Sequence, residues 1–258
     1  MILCRSWYPY DQGFEKQKLF QTITTAKNNG FSAFEIAFVN SLLKEYEKEL
    51  LFFKNSGLQY TVHADSLDTN IASKNVNIQQ ESINQLKKTI EFAGKINAIA
   101  VIFHPGSWYN EETKQEAVMR LKKILPGLLD LAKQNSVELA IENMDSKQRL
   151  CTTKEEIKEI LTEFPHLKMC FDLAHALYVY PQSTEILKFW NICKEQVIEI
   201  HLSGIKKNVP HYNVNLKEST VSLDFFQSIL QEFKGIVKIE NVSEEDIEIS
   251  KNYLQKRF

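Results

Sequence analysis

The chain has 258 residues, 43% of them hydrophobic and 25% charged, with a net charge of −2 and a pI near 6.3. That is the composition of a globular protein with a large core. It gives no basic footprint for nucleic acid and no apolar run of the roughly 20 residues that a membrane helix needs.

The order of elements follows from alternating short apolar runs and longer amphipathic ones. Residues 2–6 read as a strand and 15–28 as a helix stopped by Gly30. A second strand over 33–38 is followed by a helix over 42–55, with Gly57 as its stop. Strands over 60–64 and 99–104 flank a long helix over 79–95, and Pro105-Gly106 ends the fourth strand. A helix over 111–134, with Pro126 as a possible kink, leads to a strand over 138–143. A helix over 153–164, begun by a capping sequence at Thr152-Thr153-Lys154-Glu155-Glu156, precedes a strand over 168–173. Helix 184–194, strand 197–203, helix 223–233, strand 236–242 and helix 246–256 complete the chain.

Eight strand–helix units without a linker predict an α/β fold, a TIM-type (β/α)8 barrel in one domain spanning residues 1–258. The near-continuous apolar strands suit a parallel sheet buried on both faces. The stretches 65–78 and 206–221 are the longest loops, and loops of that length are often functional. Cys4, Cys151, Cys170 and Cys193 form no CxxC pair, so reduced thiols in a cytoplasmic protein are expected. Met1-Ile2-Leu3-Cys4-Arg5-Ser6 does not read as a signal peptide.

The polar residues are informative by position. The third to eighth strands end at or beside His63, His104, Glu142, Asp172, His201 and Glu240, and His175 follows Asp172 by three residues. A barrel gathers these C-terminal ends at one mouth, where active sites are built. Imidazole and carboxylate are natural ligands for zinc, manganese or iron. Any one such residue is ordinary as a hydrogen-bonded side chain, and Glu35 in the second strand reads that way. Six in successive strands point to a shared cation site. His166 falls between helix and strand on the opposite face. Trp7, Tyr8, Tyr10, Trp108 and Tyr109 follow strands on the catalytic side, whereas Trp190 reads as helix packing.

These segments resemble the xylose isomerase-like TIM-barrel superfamily, and most of all its endonuclease IV-like branch of apurinic/apyrimidinic endonucleases. The resemblance runs from about Tyr60 to Val242. It is carried by His104-Pro105-Gly106-Ser107 with Ser82 and Leu86 before it, by Leu139-Ala140-Ile141-Glu142-Asn143, by Cys170-Phe171-Asp172-Leu173-Ala174-His175-Ala176, and by His201-Leu202 with Lys206. It implies one metal held by His63, His104 and Glu142, and a second held by Glu142, Asp172, His201 and Glu240. A third would use His175 and His211, with Val209 standing where the family has an Asp. Two divalent ions are expected, zinc before manganese.

Two activities are implied. One is metal-dependent hydrolysis of a sugar-phosphate diester, in damaged abasic DNA or in a small molecule. The other is sugar isomerisation or epimerisation on one metal, with Glu142 and Glu240 as acid and base. Trp7, Asn70, Lys206 and Lys207 are the expected substrate contacts. The loop Asn40-Ser41-Leu42-Leu43-Lys44 lacks the family's Arg, and the loop after His63 lacks its aromatic residue three positions on. Both departures, with the acidic pI, weigh against an abasic DNA substrate.

Overall fold

The structure, a computed structural model, describes residues 1–7, 16–37, 40–109 and 112–257. Among them, eight parallel strands close into a barrel in chain order: β1 (Ile2–Trp7), β2 (Ala33–Ala37), β3 (Gln59–His63), β4 (Ala100–Phe103), β5 (Glu138–Glu142), β6 (Lys168–Asp172), β7 (Val197–Leu202) and β8 (Ile236–Ile239). Closure is direct, because β1 pairs with β2 on one edge and with β8 on the other. Helices α1 (Lys16–Asn28), α2 (Leu43–Glu47), α3 (Leu50–Asn55), α4 (Val76–Lys95), α5 (Lys114–Gln134), α6 (Lys154–Glu163), α7 (Leu173–Val179), α8 (Ser183–Cys193), α9 (Gln227–Glu232) and α10 (Glu244–Gln255) lie between and after the strands. No described helix is long and apolar enough to cross a membrane.

Local chemistry explains where these elements differ from the sequence reading. The single helix expected over 42–55 is broken into α2 and α3, because Lys48 and Glu49 both donate to the Tyr46 carbonyl in a tight turn. Tyr46 and Phe53 both reach Phe92 of α4. Helix α4 begins three residues early, since the Asn75 side chain accepts from Asn77 N and Ile78 N as an N-cap. A full capping box of Thr113 and Glu116 starts α5, which runs unbroken through Pro126. Helix α7 was not expected. It follows β6 with no loop, because Asp172 is both the last strand residue and the helix N-cap.

Side chains alternate across each strand, and this divides the barrel into two chemistries. Outward-facing Phe34, Val62, Phe103, Ile141, Phe171, Ile200 and Val237 belong to the main core, between strands and helices. Phe171 meets Phe189, Trp190 and Phe226, with ring centroids 5.2, 5.6 and 6.2 Å apart. The opposite parity faces the barrel axis. Small apolar clusters of Cys4, Ala33 and Ile236, and of Ala100, Ile102, Ala140 and Cys170, fill its lower part. Above them the same face carries Glu35, Thr61, Glu199 and Lys238, all buried, and then the strand-end histidines and carboxylates.

Candidate metal centre

Glu142, at the end of β5 and only 1% exposed, is the hub of the barrel mouth. Its Oε2 lies 3.1 Å from His63 Nε2 and 3.3 Å from His104 Nε2. Its Oε1 lies 3.4 Å from His175 Nδ1 and 3.6 Å from His201 Nδ1. One carboxylate therefore faces two separate sets of imidazoles. On the far side, His201 Nδ1 lies 3.6 Å from Glu240 Oε1, and His211 Nε2 lies 3.4 Å from Glu240 Oε2. Ligand atoms of His63, His104 and Glu142 fall within 4.8 Å of one another, as do those of Asp172, His201 and Glu240.

The backbone presets several of these groups. His63 Nδ1 sits 2.9 Å from Ala64 O, and His175 Nδ1 sits 2.9 Å from Asn143 O. A carbonyl only accepts, so Nδ1 carries a proton in both rings and Nε2 is the nitrogen left for a ligand. Asp172 accepts from His175 N through Oδ1 at 2.7 Å, and its Oδ2 faces His175 Nδ1 at 3.6 Å. The three-residue spacing of these two is thus an N-cap, which turns the His back over the Asp. Asn143 holds the Asp172 backbone by donating to its carbonyl at 2.8 Å and accepting from its N–H at 2.9 Å.

Burial works against charge at every one of these groups. At Glu142 the His104 and His201 imidazoles overcome it, and the carboxyl stays well below its usual range. At Asp172 burial prevails over His175 and raises the carboxyl to about 7. Burial opposes the His175 imidazolium, but Asp172 and Glu142 push it up to about 10. Burial lowers His104, while at His63 burial is outweighed only by the Glu142 hydrogen bond together with the Glu35 and Glu142 charges, which raise it. Asp172 Oδ2, His104 Nδ1 and His201 Nδ1 are buried and take no hydrogen bond among the described residues. Buried polar atoms are rarely left so. A divalent cation fits this donor set of imidazole nitrogens and carboxylate oxygens.

Residues 23–257 match the family described as a xylose isomerase-like TIM barrel. The chain belongs to the xylose isomerase-like TIM-barrel family. An uncharacterised protein of Methanocaldococcus jannaschii is 24% identical over 194 residues, covering 74% of this chain and 74% of that protein. A Thermoplasma volcanium protein named probable endonuclease 4 is 31% identical over 117 residues, covering 45% of this chain and 39% of that one. Among solved structures, a D-tagatose 3-epimerase-like protein superposes with a TM-score of 0.80 at 20% identity, covering 100% of this chain and 97% of that one. Endonuclease IV from Thermus thermophilus gives 0.74 at 19% identity, covering 99% and 100%. At such identities these structures share the fold.

This member of the xylose isomerase-like family has a mouth pocket of 360 Å³, lined by His63, His104, Glu142, His175, His211 and Glu240 together with Leu67, Tyr212 and Val242. The structure thus brings together most of the residues singled out from sequence. His211 is placed by a short turn stitched to the end of β8, where Val242 N and Asn241 Nδ2 both donate to Tyr212 O. Val209 takes no part in its group, and Asp172 supplies the carboxylate beside His175 and His211.

Three expected substrate contacts stand elsewhere. Asn70 donates to Ser107 O and accepts from Ser107 N and Ala72 N, so its side chain ties two loops together. Lys206 and Lys207 are exposed and do not line the described pocket. The backbone of Trp7 closes β1, but its side chain, with Tyr8 and Tyr10, lies outside the described residues. Of the other aromatics, Trp108 donates to Lys147 O, Tyr109 is exposed, and Trp190 packs in the core. Sequence reasoning passed over Glu199 and Lys238 and gave Glu35 no role. Their signal was parity, because Glu199 and Lys238 stand two residues before His201 and Glu240 on the same strand face.

Proposed function

We propose that this protein is a divalent-metal-dependent phosphodiester hydrolase acting on a sugar-phosphate diester. The observation that carries the reading is Glu142, whose Oε2 faces Nε2 of His63 and His104 while its Oε1 faces Nδ1 of His201 on the other side. That is the arrangement of a carboxylate shared by two ions, zinc being the best match to this much imidazole and manganese the next.

His63, His104 and Glu142 would hold one ion, and Glu142, Asp172, His201 and Glu240 the other. Asp172, His175 and His211 could hold a third. Bound cations supply Lewis acidity toward phosphate oxygens and lower the pKa of water. The chain's own part is to fix the ligands. Ala64 O and Asn143 O hold the His63 and His175 rings, and Asn143 holds Asp172. Leu67, Tyr212 and Val242 wall the pocket. The pocket and the acidic pI favour a small diester over abasic DNA.

A second reading, a sugar isomerase or epimerase, has its own support. Glu142, Asp172, His201 and Glu240 converge without help from His63 and His104, and they would suffice for one ion with Glu142 and Glu240 as acid and base.

The test is metal content per chain together with cleavage of bis(p-nitrophenyl) phosphate, with and without chelator. Two or more ions and chelator-sensitive cleavage are expected. One ion, no cleavage and turnover of a ketose would replace the hydrolase with the epimerase. An abasic oligonucleotide in parallel separates DNA from small diesters.

A further inference from the structure

Below the mouth lies a second ionic layer, of which the proposed chemistry uses only His201. Glu35, Glu199, His201 and Lys238 are all 0% exposed. Lys238 Nζ lies 2.6 Å from Glu35 Oε1 and 3.1 Å from Glu240 Oε1. Glu35 Oε2 faces His201 Nε2 at 3.3 Å. Glu199 Oε1 lies 3.5 Å from the same nitrogen and accepts from Thr61 Oγ1 at 3.4 Å. Strand geometry produces this layer, because Lys238 sits two residues before Glu240 on the inward face of β8 and pairs in register with His201.

A lysine in a barrel interior is costly unless paired. Even a paired one adds little stability over an apolar residue of the same size. Its value must therefore lie in what it holds. The Glu35, Glu199 and His201 atoms are close enough together to bind an ion themselves. The Lys238 ammonium supplies positive charge to that layer.

We propose that Lys238 is a built-in cation that positions the floor of the metal centre. It holds Glu240 by Oε1, so that Oε2 is the oxygen offered to the pocket. It also holds Glu35, and Glu35 in turn keeps His201 with Nε2 inward and Nδ1 toward Glu142 and Glu240. Lys238 and Glu35 are positioning residues, since neither lines the described pocket. The inference rests on the reading that Glu240 and His201 hold a cation. Groups behind metal ligands commonly change metal affinity about 10–100-fold when removed.

The experiment compares wild type with Lys238→Met, Glu35→Gln and the double variant. Zinc affinity and stoichiometry are read by competition with a chromophoric chelator, and the Tm of each apoprotein is measured. Expected is a loss of about 10–100-fold in affinity for one zinc per chain in each single variant. The zinc on the His63–His104 side stays. Apoprotein Tm losses should be non-additive, the double variant losing less than the two singles combined. Wild-type zinc affinity in folded Lys238→Met overturns the proposal.

If Lys238→Met does not fold, the double variant decides. Folded with one weakened zinc, it supports the proposal. Folded with wild-type affinity, or not folded at all, it overturns it, because a mutual charge pair should be dispensable as a pair. Wild-type protein that takes up no zinc removes the metal centre itself. The Lys238–Glu35 pairing is then judged by the apoprotein cycle alone, and additive Tm losses refute it.

Discussion

Asn143 grips the backbone of Asp172 with both ends of its amide, donating to the carbonyl at 2.8 Å and accepting from the N–H at 2.9 Å. Both residues are fully buried. The grip links the end of β5 to the end of β6 and sets the height of Asp172 beside Glu142. Asn143→Ala leaves a buried N–H and a buried carbonyl unmatched, for a loss of about 1–3 kcal/mol. Cation affinity at the Asp172 side should fall about 10–100-fold. Denaturant unfolding and chelator competition check the two parts separately, and unchanged affinity would refute the positioning role.

Glu142→Gln should weaken both of the ions it would share at once, on the order of a hundredfold, since both carboxylate oxygens are engaged. His63→Ala should weaken only one. Metal content of the two purified variants distinguishes a shared carboxylate from two independent sites.

Metal uptake should depend on pH in a defined direction. Asp172 is raised by burial from its ordinary value of 3.8 to about 7. The folded apoprotein thus favours the protonated acid. That contribution to stability is complete below the ordinary value and is lost as pH rises through about 7. A cation requires the ionised form, so binding there releases a proton below this point. Affinity should fall by at least about tenfold for each pH unit below 7, because the raised His201 imidazole of the same ligand set must also give up its proton. Calorimetry in buffers of different ionisation enthalpy counts the protons, and a pH-independent affinity between 5 and 7, read as roughly constant, would contradict the assignment.

Gly106, in the loop after His104, has φ +96°, and a Cβ there would meet Asn70 Oδ1 at 2.5 Å. Gly106→Ala combines backbone strain with a clash against the clamp that Asn70 forms. A cost of about 1–3 kcal/mol is expected, measured as a lowered urea midpoint.

Phe171→Ala serves as the contrast. Phe171 points away from the axis into the ring cluster of Phe189, Trp190 and Phe226. Its removal should cost about 3–5 kcal/mol while leaving metal stoichiometry as in wild type. A coupled loss of metal would show that the outer core and the mouth are not separable.

The barrel and its strand-end ligands were legible because both are written locally. Each strand is a short apolar run, and His63, His104, Glu142, Asp172, His201 and Glu240 each fall at or beside a strand's end. Helix α7 was hidden because Asp172 ends β6 and caps the helix with no turn residue between them. Asn70 carried a family-like position, but the backbone N–H of Ser107 and of Ala72 consumes its carbonyl oxygen. Glu35, Glu199 and Lys238 each look like one polar residue in an apolar strand. Their meaning depends on which strands become neighbours when the sheet closes, and no stretch of sequence states that.

Glu35 and Lys238 come from near the two ends of the chain and meet across β1. A nascent chain that lacks β8 has Glu35 in its half-built interior without the lysine that pairs with it, so a partial barrel stays wet. Shutting the last seam is then the event that dries the lumen, and contacts so distant in sequence form slowly. Assembly of this protein should therefore be all-or-none, with fragments ending before β8 remaining hydrated and open rather than settling into a truncated barrel.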